Sequence, residues 1–341
     1  MGSRVHLAVD IMSGDFGPRV TVPAALAALA AHSDLHLHLV GNAPDIEAQL
    51  GQLAPTQRQR LSIVHAPGVL PVDGSARDAL RGTQDSSLHH CLRLLAEQQV
   101  SGVVSAGSTA ALMALGRHRV SMLPGFARPA LCSALPTESG LSYMLDLGAN
   151  VDADSQSLHE FGLLGSALAR ALDGIESPRV ALLSNGTEPS KGNTAMREAA
   201  ARLQADAAIN YCGYIEGSEL YIGKADVIVC DGLVGNVALK TAEGTAHYAA
   251  RRLTQSFRRH WWLRLLARAA APALDEIEEA LSAERHGGAF LLGLNGVVVK
   301  SHGGSSSVAF EAALAQAVRC IEQDMVPGLA RYLEKQEIQE Q

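Results

Sequence analysis

The stretch Val5-His6-Leu7-Ala8-Val9-Asp10-Ile11-Met12-Ser13-Gly14-Asp15-Phe16-Gly17-Pro18 decides the fold. It begins as a short apolar run of strand type and then breaks into a polar, glycine-bearing loop. Similar runs recur at Leu35 to Val40, Leu61 to Val64, Gly102 to Ser105, Arg179 to Leu183, Asp226 to Cys230 and Gly296 to Val299. Between them lie Ala/Leu-rich segments of helical pattern, among them Ser86 to Gln98, Ser157 to Leu172, Thr194 to Leu203 and Ser306 to Ile321. Strand, helix, strand in this order predicts an α/β protein with a mostly parallel open sheet flanked by helices on both faces.

At 341 residues and 47% hydrophobic content the chain can bury a sizeable core. We read 1–333 as one α/β unit with its site in a central cleft, a helical tip at 244–274 within it, and a frayed polar tail at 334–341. A net charge of −7 argues against a general nucleic-acid binder. The five cysteines are odd in number and irregularly spaced, which fits reduced thiols of a cytosolic protein better than a disulfide frame or a zinc site. Asp10 interrupts the first apolar run before it reaches signal-peptide length, and no uninterrupted apolar window approaches the ~18 residues of a spanning helix. The expectation is a soluble protein, attached at most to a membrane surface.

Five loops follow a strand and precede a helix: Asp10 to Pro18, Ser105 to Thr109, Ser184 to Asn193, Cys230 to Asn236 and Lys300 to Ser306. In a parallel sheet all would emerge at the carboxyl edge, so they are expected to form one site. Glycine beside Ser or Thr at a helix start frees N–H groups for an anion, and the helix dipole adds to the attraction. Either Ser105-Ala106-Gly107-Ser108-Thr109 or His302-Gly303-Gly304-Ser305-Ser306 alone is equally compatible with a plain N-cap. G-x-x-x-x-G-K-[ST], G-x-G-x-x-G after a strand, G-x-S-x-G and H-E-x-x-H are all missing. We therefore expect no bound nucleotide cofactor, no metal and no protein nucleophile.

Lys191, one of five lysines, sits on a glycine-bearing loop where a compact charge can meet a phosphate or an oxyanion. Asn236 can donate an amide hydrogen bond to a carbonyl oxygen, or cap a helix. His302 can act as acid or base, although a lone histidine is more often an ordinary hydrogen-bonding residue.

Taken together, Asp10 to Pro18, Ser105 to Leu112, Leu145 to Asp152, Asp226 to Thr241 and Gly293 to Gly303 resemble the PlsX family of bacterial phosphate acyltransferases of phospholipid synthesis. The resemblance covers nearly the whole chain in the right order. It implies transfer of a fatty acyl group from acyl-[acyl carrier protein] to inorganic phosphate, and a cytoplasmic, peripherally membrane-associated homodimer. It also implies a membrane glycerol-3-phosphate acyltransferase downstream, and a fold of the phosphate acetyltransferase and isocitrate or isopropylmalate dehydrogenase type. Such chemistry needs neither triad nor metal, because phosphate is its own nucleophile and a thiolate leaves readily. On this likeness Lys191, Asn236 and His302 are the catalytic candidates. Asp10, Gly14, Asp15, Gly107, Ser108, Thr109, Asn150, Asp231, Gly235 and Gly303 are the phosphate- or substrate-binding candidates. The chain departs from the family's usual residues at Ile11, Ser13, Ser108, Ala110, Ser218 and Ser306.

From Gly244 to Leu274 there is no acidic residue, but there are six arginines and both tryptophans. A shift of helical phase beyond Trp261 predicts two short helices broken near His260. Arg251, Arg258, Arg259, Trp261, Trp262 and Leu265 suit an anionic lipid surface or the acidic carrier protein, and a dimer contact or a self-packed hairpin is the alternative. The competing functions are a related transferase using acyl-coenzyme A, a fold-related dehydrogenase, and a non-catalytic membrane-surface scaffold.

Overall fold

A computed structural model describes residues 5–71, 76–81, 85–258 and 288–339. Its strands are β1 (Val5–Asp10), β2 (Leu35–Gly41), β3 (Leu61–His65), β4 (Gly102–Ser105), β5 (Ala130–Thr137), β6 (Gly140–Leu145), β7 (Arg179–Leu183), β8 (Asn210–Ile215), β9 (Val227–Val229), β10 (Ala289–Leu292) and β11 (Val297–Lys300). The helices are α1 (Pro18–Ala31), α2 (Ala43–Leu50), α3 (Pro55–Arg58), α4 (Ala76–Arg81), α5 (Ser87–Ala96), α6 (Thr109–Arg119), α7 (Ser155–Asp173), α8 (Thr194–Ala205), α9 (Gly232–Arg258), α10 (Ser307–Glu322) and α11 (Met325–Gln339).

The strands form one sheet in the order β3-β2-β1-β4-β11-β10-β5-β6-β9-β7-β8. Strand side chains alternate between two cores. Leu7, Val9, Val104, Val297 and Val299 join the core under α1, α7 and α10, whereas Ala8, Val103 and Val298 join the one under α5 and α6. The sheet is mostly parallel and covered on both faces, as the sequence predicts.

The pairings β11/β10, β10/β5 and β5/β6 are antiparallel, and the remaining ladders are parallel. Three reversals are an odd number, so β6, β7, β8 and β9 run opposite to β1, β2, β3, β4 and β11. This corrects the expectation of a single carboxyl edge: the five loops leave from two opposite edges. The segment read as a frayed tail from Glu334 is also corrected, because α11 continues to Gln339. Its residues Glu334, Lys335, Gln336 and Glu337 are good helix formers.

Helix α9 has 27 residues, which makes it about 40 Å long. It lies against the body through Ala238 and Leu239, and the turns beyond Lys240 run outward with mostly exposed residues. The predicted tip thus starts as one continuous helix to Arg258, with Arg251 exposed on it. The break near His260 and the residues Arg259, Trp261, Trp262 and Leu265 lie outside the described residues, as does the side chain of Arg258.

Candidate active site

At the carboxyl edge of β1, β4 and β11, three loops converge with the N-termini of α1, α6 and α10. The Ser105 hydroxyl donates to Asp10 Oδ2 at 2.7 Å and accepts the Gly107 N–H at 3.0 Å. The Ser13 hydroxyl donates to the Asp10 carbonyl at 2.6 Å and accepts the Ala106 N–H at 2.9 Å, tying the first loop to the second. The Asp15 N–H donates to the Gly303 carbonyl at 2.8 Å, tying the first loop to the third. Gly14 sits where they meet, with φ +79° and a Cβ position only 2.9 Å from the Gly303 oxygen. A side chain there would be strained and would collide with backbone.

Asp10 is 2% exposed, and its Oδ1 has no hydrogen-bond partner among the described residues. Burial raises its pKa, opposed by hydrogen bonds from Ser87 and Ser105. Ser108 and Ser306 cap α6 and α10 through Ala111 N–H and Ala309 N–H. The other first-turn N–H groups of these helices have no intrahelical acceptor and face the loop cluster. Three helix N-termini at one place make a positive field suited to a phosphate-like anion. His302 is exposed, and its Nδ1 accepts the Gly304 N–H at 3.1 Å, which puts the proton of the neutral ring on Nε2.

The opposite edge carries the loops after β6, β7 and β9. Asp146 is fully buried and accepts from the N–H groups of Leu131, Ala149 and Asn150 and from the Asn150 side-chain amide. Burial raises its pKa and these bonds oppose the rise. Asn150 also donates to the Pro129 carbonyl at 2.9 Å, so its amide is committed to holding this loop. Asp231 Oδ1 accepts from the N–H groups of Leu233 and Val234, as an N-terminal cap of α9. Gly235 is tight against the Asp146 carbonyl, where a Cβ would lie 1.9 Å from the oxygen. Asn236 is exposed beside Gly148, and Lys191 lies over Gly186 on the loop after β7, the neighbour of β9.

Of the anticipated residues, the structure gathers Asp10, Gly14, Asp15, Gly107, Ser108, Thr109, His302 and Gly303 at one edge. It sets Lys191, Asn150, Asp231, Gly235 and Asn236 at the other, because of the three antiparallel pairings. Helix α9 links the two edges. Asn236 and Lys240 are four residues apart and share one helix face about 6 Å apart, and Lys240 is near enough to Lys300, at the end of β11, to influence its titration. Sequence reading missed Ser105 and Asp146 as organisers of these loops. The loop-proximal Cys230 is fully buried and burial holds its thiol well above the usual range, so it is no ready nucleophile.

Fold and loops define a mostly parallel α/β protein with three helix N-termini gathered at one sheet edge and no dinucleotide fingerprint in its sequence. A family model described as fatty acid synthesis protein matches residues 5–327. Phosphate acyltransferase of Pseudomonas syringae pv. syringae is 48% identical over 312 residues, 92% of each chain. The phosphate acyltransferase of Pseudomonas syringae pv. tomato is 47% identical over 328 residues, 96% of each. Among solved structures, a phosphotransacetylase from Streptococcus pyogenes superposes with TM-score 0.61 at 18% identity, covering 98% of this chain and 95% of that one, a likeness of fold. The chain belongs to the fatty acid synthesis protein family of phosphate acyltransferases, the PlsX family that its loops resemble.

Proposed function

We propose that the protein transfers a fatty acyl group from acyl carrier protein to inorganic phosphate, releasing acyl phosphate and the free carrier thiol. The observation that carries this reading is the convergence of the 10–17, 105–109 and 301–306 loops on three helix N-termini. A phosphate oxygen attacks the thioester carbonyl carbon, a C–O bond forms, and the carbonyl electrons move to oxygen. Collapse of that oxyanion breaks the C–S bond, and the thiolate leaves with its electron pair. The proton of monohydrogen phosphate balances the reaction by passing to the thiolate, with His302 Nε2–H as the local relay.

The first-turn N–H groups of α6, around Ser108 and Thr109, and the backbone at Gly14 and Asp15 hold the phosphate. Asn236 serves as an oxyanion donor, because α9 carries its face toward Lys300; Lys191, on the loop after β7 at the opposite edge, serves with it where the thioester spans the two edges. In this reading the enzyme works as a homodimer at the membrane periphery and hands acyl phosphate to a membrane glycerol-3-phosphate acyltransferase. Its basic 244–274 segment meets anionic lipid or the carrier.

The test is incubation with acyl carrier protein or acyl-coenzyme A plus phosphate, trapping acyl phosphate with hydroxylamine. Product from the carrier thioester supports the proposal, product from coenzyme A alone reassigns the donor, and no product from either overturns it. Lys191→Ala and Asn236→Ala should each lower turnover about 100-fold. Near-wild-type turnover in both folded variants removes them from the oxyanion role.

A further inference from the structure

We infer that Lys300, backed by Lys240, is the seat for a phosphate group beside the α6 N-terminus. Lys300 is the last residue of β11 and pairs in register with Ser105 of β4; Asp10 follows Val9, which pairs with Val104. Strand alternation therefore places Asp10, Ser105 and Lys300 in a row on the face shared with Ala8, Val103 and Val298. The two functional loops nearest Lys300 begin at these residues, and the Ser301 N–H donates to the Ser105 carbonyl at 2.9 Å.

Lys300 is half-buried, and its ammonium has one hydrogen-bond partner among the described residues, the Ser301 carbonyl at 3.0 Å. No described carboxylate forms an ion pair with it. The other cation near it is Lys240, whose own partner is Glu243 at 2.6 Å. A buried ammonium is ordinarily paired with a carboxylate, because desolvating it alone is costly. Lys300, without a carboxylate of its own and in register with Ser105 on the strand that leads to the α6 N-terminus, leaves a charge that an anion would balance, and Lys240, ion-paired to Glu243, adds a second cation nearby. Burial first and Lys240 second lower the Lys300 pKa to about 8, in keeping with an ammonium that no described carboxylate neutralises.

The ligand class is a phosphate group, either inorganic phosphate as acceptor or the phosphodiester of the carrier's prosthetic arm. That choice of ligand rests on the acyl-transfer reading above; the existence of the seat does not. The experiment compares wild type, Lys300→Met, Lys300→Arg and Lys240→Met in two measurements. In thermal unfolding with added inorganic phosphate, wild type should gain several degrees, Lys300→Arg should gain part of that, and Lys300→Met should gain none. In steady-state kinetics, Lys300→Met should raise one KM at least tenfold: that for phosphate if the seat holds the acceptor, that for acyl carrier protein if it holds the arm. Lys240→Met should give a smaller shift in the same KM, keeping the test alive if Lys300→Met fails to fold. Phosphate-induced stabilisation equal in all four proteins, with both KM values within twofold of wild type, overturns the seat. If wild type makes no acyl phosphate but is stabilised by phosphate through Lys300, the reaction is wrong and the seat stands.

Discussion

At the residue scale, hydroxyl groups do the organising. Ser13 stands where the family usually has glycine, and its side chain spends one donor and one acceptor on joining two loops. In Ser13→Ala the buried Ala106 N–H loses its partner, which should cost about 1–3 kcal/mol, measurable as a lower midpoint in urea unfolding. No change in midpoint would mean that the loops are held by Gly14 and Asp15 alone. The Lys300 ammonium makes a second prediction. Its pKa is lowered from 10.5 to about 8, so between those values the unfolded chain binds more protons than the folded one. Stability from this group therefore rises with pH across that window and is at its lowest below about 8. From pH 7.5 to pH 10 the unfolding midpoint of wild type should rise relative to that of Lys300→Met, because the upward contribution present in wild type is absent from the variant. An identical pH profile in both proteins would place Lys300 in water.

At the element scale, the loops are shaped by what neighbouring strands permit. Gly235, at the start of α9, packs where a Cβ would enter the Asp146 carbonyl. Gly235→Ala should therefore destabilise by about 1–3 kcal/mol and move Asn236, with a drop in turnover that exceeds the loss of folded protein. A variant as stable and active as wild type would show that α9 can shift at no cost. The parallel strands were readable because Val5 to Val9, Gly102 to Ser105 and Arg179 to Leu183 are short runs dominated by valine, leucine and alanine. The hairpin β5–β6 was not, since Pro136, Glu138, Ser139 and Gly140 interrupt its apolar pattern, and β10 is only four residues long. Missing those three strands hid the reversal of direction. The loop chemistry was therefore legible from the residues, while the division of the loops between two edges depended on long-range pairing that no local pattern encodes.

At the scale of the whole molecule, α9 is a long element with little of the protein beneath it. Leu233, Val237 and Tyr248 are 58%, 57% and 63% exposed. At 100° per residue they fall within about 60° of one another on the helix, on a single stripe that also contains Gly244. Burying such a stripe gains roughly 25 cal/mol for each Å² of apolar surface removed from water, which favours covering it. A two-fold axis would set the same stripe of a second copy against it, with Gly244 allowing close approach. Val237→Asp puts a carboxylate on the stripe in both copies, and because Val237 is exposed within one chain the substitution should leave each chain folded. Sedimentation velocity should find wild type as a dimer and the variant as a monomer at micromolar concentration, with unchanged circular dichroism. A variant that remains dimeric would move the contact away from α9 and leave that helix for the lipid surface or the carrier.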